Sequence, residues 1–168
     1  MRILAVSGSL QRNSANRTLL ETAAACAPAG VEVVVFDGLR ELPHFDPDLE
    51  AAAPPAVTAW RTALATSDAV LIASPEYGHS LPGALKNAID WVIGTGELER
   101  KIVAITAAVP GPERGRLGLK ALADTLGAVR ATIVGGEPIV RGAQLAADVA
   151  VLVRALVVEC ERRDGSSE

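Results

Sequence analysis

The chain has 168 residues, 49% hydrophobic and 21% charged, with a formal net charge of −4. That length suits one domain around a single core, and the composition is that of a folded globular protein. The acidic balance and the lack of a basic block argue against a general affinity for nucleic acid or an anionic membrane.

In chain order, Ile3–Val6 is a short apolar run that stops at Ser-Gly-Ser and reads as a buried strand. It is too short for a signal peptide or a membrane span, so residence in the cytoplasm is expected. A helix follows over 14–27, capped by Ser14 or Asn13 and ended by Pro28-Ala29-Gly30. Val31–Phe36 is a β-branched second strand, and Ala56–Thr66 is helical. Ala69–Ala73 is the third strand. The next helix runs from Leu81 to Ile93, with Pro82 in its first turn. Ile102–Thr106 is the fourth strand, Gly115–Leu126 a helix closed by Gly127, and Ala131–Val134 the fifth strand. A last helix covers Gln144–Glu161. Residues 1–162 are thus expected to form one domain, with 163–168 a frayed tail.

Apolar strands alternating with helices predict an α/β fold, a parallel sheet covered on both faces. Cys26 and Cys160 lack any metal-like spacing and read as small helix residues in a reducing compartment. The long irregular stretch 37–55, with four prolines, reads as functional or interfacial.

In such a sheet, ligands bind beyond the carboxyl ends of the strands. Three segments sit there. The first, SGSLQRNSAN, lacks the G-x-G-x-x-G pattern of a dinucleotide site. Its hydroxyls (Ser7, Ser9, Ser14), Asn16 and a helix N-terminus suit a terminal phosphate, with Arg12 or Arg17 adding charge. An ordinary capping turn is the plainer alternative. The second is SPEYGHS, residues 74–80. Pro75 stiffens it, Gly78 permits a positive φ, and Tyr77, the only tyrosine, can border a flat ring. His79 reads as a surface or capping residue, and Glu76 as either a solvated carboxylate or a salt-bridge partner. The third, AAVPGPERGRL, supplies a turn at Pro110, Gly111 and Pro112. No Ser-His-Asp order, paired carboxylates or metal cluster is visible. That pattern fits a site where a cofactor carries the reaction and the protein supplies position and polarity.

GSLQRNSAN, LPHFDPDLEAAAPPAV and SPEYGHSLPGALKNAIDW together resemble the NADPH-dependent FMN reductase family of flavodoxin-like proteins, over about Arg2 to Glu137. The resemblance implies a three-layer sandwich with a five-stranded parallel sheet in the order 2-1-3-4-5, binding FMN non-covalently. It implies that Ser9, Gln11, Arg12, Ser14, Ala15 and Asn16 hold the phosphate. Pro75, Glu76, Tyr77, Gly78 and Ser80 would border the isoalloxazine, with Ala107, Pro110 and Gly111 closing its other side. No catalytic side chain is expected. NADPH or NADH would be the co-substrate and a small-molecule electron acceptor the partner: a quinone, azo dye, metal oxyanion or free flavin. Neither nucleic acid nor membrane is an expected partner. A homodimer or homotetramer is expected, with the Leu81–Ile93 helix at the contact, because that helix carries more apolar surface than one sheet face needs. The chain departs from the family pattern at two positions, with Gln11 where arginine is usual and Gly78 where asparagine is usual. A flavodoxin-type electron carrier and a flavin-supplying partner of a monooxygenase are the other readings. Electron carriers are commonly more acidic and would not need the motif after the third strand.

Overall fold

The computed structural model describes residues 1–165. The strands are β1 (Arg2–Ser7), β2 (Glu32–Phe36), β3 (Ala69–Ala73), β4 (Ile102–Thr106), β5 (Ala108–Val109), β6 (Thr132–Gly135) and β7 (Ile139–Val140). The helices are α1 (Ala15–Ala25), α2 (Pro55–Ala65), α3 (Gly83–Ile93), α4 (Arg116–Ala128) and α5 (Leu145–Gly165). The main sheet has five parallel strands in the order β2-β1-β3-β4-β6. This is the expected 2-1-3-4-5 arrangement, with the fifth long strand numbered sixth because the short β5 precedes it. β5 and β7 form a two-residue parallel pair above β4.

Side chains alternate across each strand, so the sheet feeds two cores. Leu4, Val6, Val70, Ile72, Val103 and Ile105 pack against α2, α3 and α4 through Trp60, Leu64, Ile89 and Leu122. Ile3, Ala5, Leu71 and Ala104 face α1 and α5 through Leu19, Leu20, Val149 and Val153. β3 and β4 are buried along their whole length, which explains their uninterrupted apolar sequence.

Several element ends move from their expected places. Ser14 is the cap of α1 and lies outside it, its Oγ accepting the Arg17 N–H at 3.1 Å. Pro82 precedes α3 as its capping residue. Gly127 lies inside α4, and α5 continues to Gly165. The first three residues of the expected tail are therefore helical, and 166–168 fall outside the described residues.

The apolar surplus of α3 is used within the chain, which removes the reason given above for an interface there. Leu85, Ala88, Ile89, Trp91 and Val92 are all buried, and only Ile93, 56% exposed, remains for another surface. The second apolar face is covered by the irregular segment 37–55, which contains two 3-10 turns, Gly38–Glu41 and Pro47–Ala52. The Pro43 carbonyl accepts from Trp91 Nε1 at 2.8 Å and Asn87 Nδ2 at 2.9 Å. Asn87 Oδ1 accepts the Phe45 N–H at 2.8 Å, and the Phe45 ring meets Trp91 edge-on at 5.1 Å. A long loop held this firmly is a packed part of the core.

Candidate functional site

The three strand-end segments converge because the strand ladder continues into them. The Gly8 N–H donates to the Ala73 carbonyl at 2.9 Å, the Ser74 N–H to Thr106 at 2.9 Å, and the Ile139 N–H to Ala107 at 2.8 Å. The first loop is thereby fixed beside the second, and the second beside the third, at the point where strand order reverses between β1 and β3.

In the first loop, Ser7 Oγ accepts the Ser9 N–H at 3.3 Å and Ser9 Oγ accepts the Gln11 N–H at 3.2 Å. Ser9 is 9% exposed, and its hydroxyl hydrogen has no acceptor among the described residues. Ser14 is occupied as the helix cap, although its hydroxyl can still donate. Ala15, the first residue of α1, can offer only its backbone. Asn16 is buried, and its Oδ1 accepts the Ala108 N–H at 2.9 Å, joining the first loop to the third across 92 residues. Because the backbone donor fixes which end of the amide is oxygen, Nδ2 points the other way with two N–H groups to give.

In the second loop, Tyr77 and Ser80 exchange backbone hydrogen bonds at 2.9 and 3.0 Å. The two residues between them, Gly78 and His79, have φ of +56° and +61°. This is a two-residue hairpin turn of type I′. The positive φ expected at Gly78 is present, and His79 shares it, a conformation uncommon outside glycine. The turn carries Tyr77 outward, 56% exposed. Pro75 and Ser80 are half-buried, as is Glu76. The carboxylate of Glu76 ties this loop to the next helix, because Oε2 accepts the Gly118 N–H at 2.8 Å, at the N-terminus of α4. In the third loop, Ala107 is fully buried, so only its backbone reaches the edge, while Pro110 is exposed and Gly111 half-buried.

The two candidate arginines differ. Arg17 is committed: Nη1 and Nη2 pair with the two oxygens of Asp37, the second at 3.2 Å, and Nε donates to Glu21 at 3.1 Å. The hydrogen bonds it donates to Asp37, and then to Glu21, raise its pKa further above the usual arginine range. Arg12 is exposed, with no partner among the described residues. A third cation, Arg40, was not anticipated; its Nη2 donates to the Leu10 carbonyl. Asp37 and Arg40 directly follow the carboxyl end of β2. The strand-end rule applied to β1, β3 and β4 would have found them had it been extended to β2.

A cavity of about 440 Å³ opens between the first loop and the end of β2. Ser7, Ser9, Gln11 and Arg12 line it, facing Asp37 and Arg40. None of residues 75–80 or 107–111 does. The residues named for the phosphate and those named for the ring thus share one sheet edge, but one enclosed cavity does not join them. On the ring side, Tyr77, Gly78 and His79 are exposed to solvent.

The donor set fits a flavin mononucleotide. A buried hydroxyl with a free hydrogen, an amide with two free N–H groups, a helix N-terminus and an exposed arginine suit a phosphate. The open space around the backbone of Gly78 leaves room for a flat ring. Residues 1–144 match the model of the family described as NADPH-dependent FMN reductase. The chain belongs to this family. Within it, the chain is 36% identical over 119 residues to an NAD(P)H-dependent FMN reductase of Pseudomonas aeruginosa, covering 70% of this chain and 63% of that one. It is 36% identical over 94 residues to a quinone reductase of Escherichia coli K12, covering 55% and 50%. The matches therefore span between half and 63% of the length of these two relatives. The solved structure of FerB, a flavoenzyme NAD(P)H:(acceptor) oxidoreductase from Paracoccus denitrificans, superimposes with a TM-score of 0.84 at 28% identity, over 96% of this chain and 97% of that one. The fold is that of the flavodoxin-like FMN reductases. Among the described residues, no helix is long and apolar enough to cross a membrane.

Proposed function

We propose that the chain is an FMN-dependent NAD(P)H oxidoreductase of the cytoplasm, formed by one domain over residues 1–162 and active as a homodimer or homotetramer. The carrying observation is the set of free donors on the first loop, on the same sheet edge as the exposed turn at Tyr77. Bound FMN would supply the redox chemistry, taking hydride from NADPH or NADH and reducing a small-molecule acceptor such as a quinone, azo dye, metal oxyanion or free flavin. Ser9 and Ser14 hydroxyls, Asn16 Nδ2, Gln11 and the backbone N–H of Ala15 would hold the phosphate, with Arg12 as its charge partner. Pro75, Glu76, Tyr77, Gly78 and Ser80 would border the ring, and the Ala107, Pro110 and Gly111 backbone would close its far side. No side chain is needed as an acid or base. The chain's part is to orient the ring, leave one face open, and let donor and acceptor use that face in turn.

The test is titration of apo-protein with FMN and FAD, followed by anaerobic NADPH. FMN should bind more tightly than FAD, and NADPH should bleach its absorbance. Steady-state kinetics with NADPH and a quinone should give parallel double-reciprocal lines. Tighter FAD binding would overturn the pocket assignment, and intersecting lines the shared face. A flavodoxin-type carrier would bind FMN without steady turnover.

A further inference from the structure

With the apolar surface of α3 consumed inside the chain, α5 is the helix that keeps two large apolar side chains in solvent among the described residues. Its buried stripe, Val149, Val153, Leu156 and Cys160, faces the sheet. An outer helix normally turns a polar face the other way. Here Val151 is 58% exposed and Val158 43%, with Ala155 exposed between them and the exposed Asp148 and Arg162 at the two ends. The positions 148, 151, 155, 158 and 162 alternate steps of three and four residues, the spacing that keeps side chains on one seam.

The seam is close to palindromic. Ala155 lies seven residues from both Asp148 and Arg162, and four and three from Val151 and Val158. A second α5 laid antiparallel, with Ala155 of each copy at a twofold axis, sets Val151 against Val158 and Asp148 against Arg162. The methyl group of Ala155 lets the two backbones approach. The Asp148 carboxylate has no partner among the described residues, and the Arg162 side chain is 74% exposed, reaching Glu159 at 3.8 Å. A parallel pair would instead set like charges against each other at both ends. Beside the seam, a groove of about 360 Å³ shares Asp148, Val151 and Ala155 with it and is completed by Pro138, Ile139 and Leu152. Its charged residues are both acidic, Asp148 and Glu137, the second already paired with Arg116 at 2.7 Å. Such a groove suits a valine followed one turn on by an arginine, which is what Val158 and Arg162 of a second copy present.

We propose that this face of α5 is a docking surface for a second copy of the chain, the two helices packing antiparallel about Ala155. The inference rests on the reading of the chain as a homo-oligomer and locates a contact that α3 does not supply. The seam runs about 21 Å from Asp148 to Arg162. One helix pair of that length buries less than the roughly 800 Å² per partner of a standard stable interface, so association in the micromolar range is expected. Exposed ion pairs add little strength and are screened by salt; here they fix the direction of packing.

The test is sedimentation equilibrium of the full chain across the micromolar range at low salt. Val151→Glu, which places a carboxylate in the seam of each copy, should weaken association by at least about tenfold. Asp148→Arg alone, or Arg162→Glu alone, sets like charges across the axis and should weaken it by roughly threefold to thirtyfold. The double variant, Asp148→Arg with Arg162→Glu, should restore it, a recovery that misfolding would not mimic. An assembly that Val151→Glu leaves unchanged overturns the proposal and leaves the homo-oligomer standing on another face. Single variants that weaken association without recovery in the double variant overturn the antiparallel register and the proposal with it. A monomer at every concentration overturns both this contact and the homo-oligomer. FMN titration of the same samples tests the flavin reading separately.

Discussion

Glu76 and Gly118 meet where the second loop crosses the start of α4. Glu76 Oε2 accepts the Gly118 N–H at 2.8 Å, and a Cβ placed on Gly118 would fall 2.9 Å from both Cα and Cβ of Glu76. The carboxylate serves as a helix cap supplied from 42 residues away, and the missing side chain is what lets the two segments approach.

Gly118→Ala is therefore expected to destabilise the fold, although alanine is the better helix former by about 1 kcal/mol. The atoms it meets include backbone, so the crowding should cost about 1–3 kcal/mol and exceed that gain. Glu76→Ala should lose about 1–3 kcal/mol by leaving the N–H unpaired. Glu76→Gln, which keeps an acceptor, should lose only about 0.3–1 kcal/mol of charge–dipole attraction. Urea denaturation midpoints would rank the three variants.

Asn16 offers a separation of scaffold from ligand. Asn16→Ala removes the acceptor of the Ala108 N–H and should cost about 1–3 kcal/mol of stability. Asn16→Asp keeps that acceptor and should recover most of the stability, yet it replaces the donor amide with a negative charge facing the phosphate. Thermal unfolding should place Asn16→Asp near wild type, while FMN titration should place it well below.

At the first loop, a largely dianionic phosphate meets a helix end worth only about half a unit charge and the neutral Gln11. With Arg17 held by Asp37 and Glu21, the unpaired charge nearest the loop is Arg12. Arg12→Ala should weaken FMN binding by about 1–3 kcal/mol. Gln11→Arg should strengthen it, most clearly at low salt, where screening is weakest. Calorimetry of both variants at two ionic strengths is the check. If neither variant moves, hydroxyls and backbone N–H groups hold the phosphate unaided.

Lys101 gives the fold a pH signature far from the site. Its ammonium donates to the Ser67 carbonyl at 2.6 Å, and burial, with a smaller contribution from Arg163, lowers its pKa below the usual lysine value. The unfolded chain then binds more protons than the folded one between the lowered value and 10.5, so this group makes stability rise with pH across that window. Lys101→Gln should remove that contribution. The difference in unfolding free energy between wild type and variant, followed from neutral pH to about 10, should change in favour of wild type; a constant difference would be the contrary result.

The layer order was legible because β1, β3 and β4 are continuous apolar runs of five residues or so, and only a doubly covered sheet needs that. Gly78 was legible as a positive-φ position, since so few residues tolerate it. What α3 does with its polar residues was not. Asn87 and Trp91 sit in the stretch most suggestive of a ligand, yet they hold Pro43 and Phe45. Periodicity reports that a helix has two apolar faces and carries no information on whether the second is covered by the same chain or another. Glu76 was likewise open between a solvated and a paired carboxylate. Its actual partner, a backbone N–H, leaves no trace in residue identity beyond the glycine at 118.

The cross-links between the loops also divide the site by local opening. The amide of Ala108 is locked by Asn16 and that of Gly118 by Glu76, while Arg12 and the Tyr77–Ser80 turn are tied to little else. In amide hydrogen exchange the floor should be slow whether or not a flavin is present, and protection gained on loading should concentrate at 11–13 and 77–79. A ligand entering such a site orders a rim and leaves the base unchanged, so most of the entropy lost by the protein on binding should come from a handful of residues.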